Sequence, residues 1–420
     1  MPHHDVIVIG GGAAGMFAAG CAARQGADVL LLEKNHVCGA KILLTGKGRC
    51  NVTSYQTDPQ SFVKAFGQKG RALLTALYTF GVNETMAFFE NMGVELQVER
   101  GQRVFPKTGD ARSVQQALVT FVRQSGVKVM TDCPVRELMV SNHRVRSVIG
   151  PKGALTSTSV ILATGGLSYP ETGCTGDGFA WASACGHQLV PAEPALMPVR
   201  LGAKWTGRVS RFNLKNVSIS VWADGQKADE RFGEAFFTKL GIGGPIILDM
   251  SNTIRSLLQK GPVRLQIDFK PAVSEDLFDK RLQRELTAHA NHAFANSLEN
   301  LLPRDLIPVF LTLSEIDVNK KCHSVTREER RRLLRLFKAL DLEVTGCEGF
   351  SRAIITAGGV SLHDIDMRTM RSKKVENLFF AGEMIDIDGP TGGYNLQVCW
   401  STGYLAGVNA APCQTGSTKT

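Results

Sequence analysis

"DVIVIGGGAAGMFAAGCAARQGADVLLLEK", residues 5–34, decides the fold. Val6 to Ile9 form a continuous apolar run, as a strand covered on both faces requires. Gly10, Gly12 and Gly15 then spell G-x-G-x-x-G, Met16 to Arg24 read as a helix, and Val29 to Leu32 as a second strand. Glu33 ends that strand, 18 residues after Gly15. Strand, glycine turn, helix, strand and acid together specify a dinucleotide cradle. The first glycine makes the tight turn, the second admits the backbone to a pyrophosphate, and the third lets helix pack on strand. The helix start, with Ala13 and Ala14, presents N–H groups and positive partial charge to phosphate. Glu33, followed by Lys34, can accept a bond from a ribose hydroxyl, which favours an unphosphorylated adenosine ribose and so FAD or NAD over NADP.

The length of 420 residues exceeds one compact core and predicts two or three domains. With 43% hydrophobic and 21% charged residues the mix is that of a globular protein. The net charge of +9 favours anionic partners such as nucleic acid or phosphorylated substrates. Ten cysteines without a C-x-x-C pair match neither a zinc site nor a disulfide framework, so reduced thiols in the cytoplasm are expected. No apolar run approaches the roughly 18 residues that a membrane helix needs, so no membrane partner is expected.

Later segments select FAD. "GVKVMTDCPVREL", which contains Val135, reads as strand, turn, strand, and a further meander leads to a strand ending at Ala163-Thr164-Gly165. Leu378 to Ala381 form another strand, ending in Gly382-Glu383, and Gly392-Gly393-Tyr394-Asn395 open a helix reaching about Gly407. That helix start suits the negative pyrimidine edge of a reduced flavin. A plain NAD domain has no need of so distant a segment. "TGKGRCN", Thr45 to Asn51, looks like a phosphate loop but fails that motif: six residues separate Gly39 from Gly46, and glycine follows Lys47. Its glycines signal either a tight turn or close approach to a flat or charged group.

The sequence resembles the BaiN/RdsA family of NAD(P)/FAD-dependent oxidoreductases, the YhiN-like flavoproteins. The resemblance rests on "VIVIGGGAAGM", "GAKILLTGKGRCNVTS", "ILATGGLSYPETGCTGDG", "FFTKLGIGGPIILDMS", "ITAGGV" and "FAGEMIDIDGPTGGYNLQVCWSTG", spread over nearly the whole chain. It implies an α/β fold. A Rossmann-type FAD domain of the two-dinucleotide-binding class is interrupted by an inserted β-barrel and a helical subdomain. The expected division is 1–195 with 351–411 for FAD, 196–275 for the barrel, 276–350 for the helices, and a disordered tail at 412–420. The resemblance implies reduction of carbon–carbon double bonds, either of a uridine in 23S rRNA to dihydrouridine or of a small conjugated enone such as a bile-acid steroid. NAD(P)H, binding transiently at the flavin face, is the expected electron donor, with another protein as the alternative. In related flavoproteins the segment after the first β-α-β unit runs along the pyrophosphate to the flavin. By that analogy Lys41 neutralises phosphate, Thr45, Gly46 and Gly48 lie against the cofactor, and Arg49, Cys50 and Asn51 sit nearest the ring.

A hydride acceptor of this kind also needs a proton. Cys50 is the candidate acid, by analogy with cysteines in other dihydrouridine synthases, with packing against the flavin as its plainer role. Arg49 and Asn51 are candidates to orient substrate or flavin, and Tyr169 and Tyr394 are alternative donors. Glu383, Asp386 and Asp388 suit a helix start and a ribityl chain better than a metal, so no metal is expected. No second G-x-G-x-x-G follows, and "GIGGP" at 241–245 is read as lacking both the acid and the strand–turn–helix context. Residues 196–350 hold 24 basic and 19 acidic residues, and "KKCHSVTREERRRLLRLFK" holds eight and two. That run is either a solvated helix face or a contact for RNA phosphates. A flavin-containing RNA- or ribosome-binding protein without catalysis is the reading from another class.

Overall fold

The computed structural model describes residues 3–210 and 212–412. The tail expected from 412 lies outside the described residues from 413 onwards. The chain forms two compact units, Met1–Ala195 with Phe350–Thr420, and Leu196–Gly349.

The first unit is built on a sheet whose parallel core runs Lys128–Met130, Val29–Leu32, His3–Ile9, Gly153–Leu162 and Leu378–Phe380. Register pairs Ile9 with both Leu32 and Leu162, so three strand ends stop at one level. Val6, Ile7, Val8, Leu31, Ile161 and Phe380 have essentially no exposed surface, which explains why these strands read as unbroken apolar runs. The helix starts at Ala13, one turn before the Met16 expected from periodicity, and ends at Arg24. Its inner face meets the C-terminal helix Tyr394–Ala410, in which the fully buried Trp400 donates to the Val52 carbonyl at 2.9 Å. A three-stranded antiparallel sheet of Thr53–Ser54, Arg103–Pro106 and Leu96–Glu99 stands beside this core.

The second unit is a closed six-stranded barrel with helices. Its longest hairpin joins Asn213–Ala223 to Gln226–Phe237 through Asp224-Gly225, both at positive φ, as a two-residue hairpin turn demands. The barrel differs from the expected division at 275/276. Its sixth strand, Leu340–Cys347, follows the helices and pairs with both Val263–Asp268 and Val199–Leu201. Barrel and helices also share one apolar core. Local alternation marks a strand but not the non-local partner that closes a barrel. "GIGGP" likewise does form strand, turn and helix, Gly241–Gly243 leading to Pro245–Leu258. That strand is an antiparallel stave of the barrel, so the unit is not a second nucleotide cradle. Pro308 stands in the first turn of Ile307–Ser314, where its missing N–H costs no intrahelical bond.

Candidate functional site

The site is assembled at the carboxyl ends of the parallel strands, where open α/β sheets take their ligands. A Cβ on Gly10 would lie 2.4 Å from the Ala163 carbonyl oxygen, and one on Gly15 would lie 1.8 Å from the Gly10 oxygen. Only glycine permits this crossing of turn, helix and strand end. A Cβ on Gly12, by contrast, meets nothing within 4 Å, so the outer side of the turn is open. The N–H groups of Ala13, Ala14 and Gly15, in the first turn that follows, have no intrahelical acceptor by helix geometry. Glu33 is 7% exposed, and its two oxygens accept from Gly11 N and Asn35 N, each at 2.7 Å. The acid is thus fixed before any ligand arrives. Lys34 pairs with Asp177 at 2.7 Å. Val135 is carried on a segment tied to the same end of the sheet, since Cys133 N donates to the Glu33 carbonyl at 2.9 Å.

On the opposite side, Ala163 N donates to the Ile9 carbonyl, and Thr164 bonds Met384 Sδ at 2.8 Å. Gly165 and Gly382 both have positive φ, and Gly382 N donates to Thr402 Oγ1 at 2.9 Å. Glu383 accepts from Thr356 N and from Lys41 Nζ, each at 2.7 Å. The Lys41 ammonium is lifted above its ordinary value: burial opposes the charge, but Glu383 and the neighbouring Cys174 and Cys399 outweigh it. Lys41 is thus held against Glu383 at the strand ends. An open G-x-G turn at a helix start, a preset acid and three glycine-bearing strand ends fit a dinucleotide with a long second half, as FAD has.

Gly392 and Gly393 stand at φ +117° and +100° immediately before the C-terminal helix. A Cβ on Gly393 would fall 2.3 Å from the Thr53 carbonyl carbon. Asn395 turns back on the preceding loop, accepting from Gly389 N at 2.8 Å and donating to the Gly389 carbonyl at 2.9 Å, so it shapes the loop. Tyr394 is half-buried, its ring centroid 4.8 Å from that of Phe62 and 6.0 Å from that of Phe66. Lys69 bonds the largely buried Asp386 at 2.6 Å beside this wall.

The segment around Cys50 departs most from expectation. Ile42–Gly48 is a kinked pair of tight turns, with Gly46, Lys47 and Gly48 all at positive φ. Thr45 Oγ1 donates to the Ile42 carbonyl at 2.6 Å. Cys50 is 0% exposed, and burial pushes its thiol up to about 12 despite a bond to the Thr45 side chain. Such a thiol stays neutral and has no open surface. Arg49 lies over the Phe105 ring at 4.0 Å and is ion-paired with Glu99, whose carboxyl it holds below the usual range. Asn51 Oδ1 accepts from Val104 N at 3.1 Å. Arg49 and Asn51 are thus committed to the three-stranded sheet. Thr356, whose Oγ1 accepts from Leu167 N and Ser168 N at 2.8 and 3.1 Å, was not legible beforehand, because its partners lie 189 and 188 residues away. Among the described residues no group of three or more His, Cys, Asp or Glu is placed to hold a metal ion.

Residues 4–409 match the family described as HI0933-like protein Rossmann domain. The chain is 32% identical to a 3-dehydro-bile acid delta(4,6)-reductase of Clostridium scindens, over 96% of this chain and 98% of the relative. It is 28% identical to a ribosomal RNA dihydrouridine synthase of Escherichia coli, over 96% and 97%. Among solved structures, a 3-ketosteroid delta1-dehydrogenase from Sterolibacterium denitrificans shares the fold at TM-score 0.56 and 14% identity, covering 98% of this chain and 99% of that one. A 3-ketosteroid-delta4-(5alpha)-dehydrogenase from Rhodococcus jostii RHA1 does so at 0.53 and 16%, covering 98% and 97%. With its match running from residue 4 to residue 409, the chain belongs to the HI0933-like family of Rossmann-fold flavoproteins, the family its motifs resemble.

Proposed function

We propose that the protein is an FAD-dependent oxidoreductase that reduces a carbon–carbon double bond conjugated to a carbonyl, with a uridine of 23S rRNA as substrate and dihydrouridine as product. One observation carries the reaction class. Relatives named for a bile-acid delta(4,6)-reductase and for a ribosomal RNA dihydrouridine synthase each align over 96% of the chain. Both names describe saturation of a double bond activated by a carbonyl. The net charge of +9 favours the RNA substrate. A small enone is the second reading, favoured by the 32% identity to the bile-acid enzyme. NAD(P)H is the proposed electron donor and the cytoplasm the proposed location.

FAD, once bound, supplies the hydride from its N5 position. The N–H groups of Ala13, Ala14 and Gly15 hold the diphosphate, and Glu33 accepts from the adenosine ribose. The start of the C-terminal helix at Gly393 and Tyr394 stabilises negative charge at the far end of the cofactor. Lys41 and Glu383 fix the strand ends that flank it. Tyr394 takes the place of Cys50 as proton donor, because it is half-buried on the helix start while Cys50 has no open surface. Arg49, stacked on Phe105, and Asn51, bonded to Val104 N, are assigned to positioning the sheet beside the site.

The test is anaerobic. The FAD-loaded protein is reduced with NADH or NADPH and mixed with 23S rRNA lacking the modification, and dihydrouridine is measured by nucleoside mass spectrometry. Flavin reoxidation together with one new dihydrouridine supports the rRNA reading. Reoxidation by a 3-oxo-4,6-diene steroid and not by RNA transfers the assignment to small enones. No reoxidation by either ends the reductase reading in favour of a flavin-containing binding protein.

A further inference from the structure

The basic run at 320–338 is split in two by the fold. Lys320 pairs with Glu329, Arg330 with Asp279 and Lys338 with Asp268, while Arg332 Nε donates to the Ser314 carbonyl at 2.6 Å. These four cations hold the helical part together. Arg327, Arg331 and Arg335 are exposed and make no hydrogen bond or close ion pair among the described residues, although Arg331 is near enough to Asp279 to help hold its carboxyl below the usual range. They recur every four residues on the helix Arg327–Lys338 and so form one stripe along it. Helix Glu275–Ala288 packs alongside, with Phe278 and Phe337 centroids 4.9 Å apart and Arg330 Nε 2.8 Å from Asp279 Oδ1. It adds Lys280 and Arg284, also exposed and four residues apart, on an open groove of about 770 Å³.

The acids of these two helices gather at their starts, Glu328 and Glu329 beside Arg327. Glu275, Asp276, Glu328 and Glu329 all occupy first turns, where they complement the helix N-terminus. Asp279 is paired with Arg330, and Glu285 accepts from Asn300 at 3.3 Å. Beyond the first turns, every exposed ionisable side chain on the two helices is a cation. Neither helix exposes an aromatic ring, and Leu277, 58% exposed, is the one large apolar side chain that either presents. Leu277 alone falls short of the clustered aromatic and aliphatic anchors on which protein interfaces rely. Single-stranded RNA is held through stacking platforms that this face lacks. Paired RNA asks only for phosphate contacts and shape.

We infer that the joint outer face of these two helices docks the phosphate backbone of paired RNA, through Lys280, Arg284, Arg327, Arg331 and Arg335. The inference rests on the RNA reading of the proposed function. The test uses the full-length FAD-bound protein, a fluorescent RNA hairpin and a single strand of equal length, with anisotropy titrations over a salt series. Replacing the five cations by glutamine retains helix propensity and removes the charge. The log–log salt slope for the hairpin is expected to fall by roughly 3–5, close to one per cation. The flavin spectrum stays unchanged, and Arg→Lys replacements retain the slope. If the wild type binds the hairpin and the glutamine variant keeps its slope, the surface is overturned while the RNA reading stands. If the wild type binds the single strand as tightly as the hairpin, the specificity for paired RNA is wrong. If it binds neither, the surface falls together with the RNA arm of the proposed function.

Discussion

Replacing Lys41 by methionine tests the central ion pair of the site. Lys41 Nζ lies 2.7 Å from Glu383 Oε2, with the two side chains 21% and 17% exposed. Opposite charges about 4 Å apart at an effective dielectric near 20 attract by about 4 kcal/mol, most of which desolvation offsets. Breaking a fully buried pair on one side costs about 3–5 kcal/mol. Here about a fifth of each side chain remains wetted, and Thr356 N still bonds Glu383. A loss of about 2–3 kcal/mol is therefore expected for Lys41→Met, with Lys41→Met/Glu383→Gln recovering part of it. The assay is urea unfolding followed by circular dichroism and flavin fluorescence, closed as a double-mutant cycle. Because the Lys41 value is raised, the stabilisation is full below its unfolded value of about 10.4 and is lost as pH rises through the higher folded value. The difference between wild type and Lys41→Met is thus constant from about pH 6 to 9. A coupling below about 0.5 kcal/mol would refute the pairing. FAD affinity that falls tenfold in Lys41→Met but is untouched in Glu383→Gln would restore Lys41 as a phosphate counter-ion.

Cys50→Ala is expected to retain turnover and to lose about 1–2 kcal/mol of stability to the small cavity, so a thousand-fold loss of kcat would reinstate the thiol as acid. The wild-type thiol stays protonated to about 12, so its contribution is full below about pH 8.5 and declines as pH climbs towards 12. The two profiles should therefore draw together above about pH 8.5 and cross within about one to two pH units, and parallel profiles would contradict that raised thiol. Gly393→Ala forces a Cβ within 2.3 Å of the Thr53 backbone at φ +100°, so differential scanning should show a loss of about 2–4 kcal/mol together with weaker FAD binding. Tyr394→Phe keeps the packing on Phe62 and removes the hydroxyl. Its kcat should fall by about 10²–10³ with FAD affinity and Tm unchanged, and an unaltered kcat would remove Tyr394 from the reaction.

The first β-α-β unit was legible because its determinants are local. Apolar runs, three glycines and an acid lie within 30 residues, and Val29–Leu32 was bounded to the residue. The C-terminal helix and the glycines before it were legible for the same reason. The sequence by itself also determined the family, through motifs spaced along residues 4–409. Tertiary structure alone decided what each polar side chain does. Lys41 meets Glu383 across 342 residues, Lys69 meets Asp386 across 317, and Arg49 meets Glu99 across 50. Cys50 was a candidate acid by analogy with other dihydrouridine synthases, and burial, which packing supplies, raises its pKa. The basic run at 320–338 read as uniform, and only the packing of its helix separated structural cations from free ones. Backbone periodicity is written within a few residues of the chain. A charge or a thiol takes its chemistry from whatever the folded chain brings within about 4 Å.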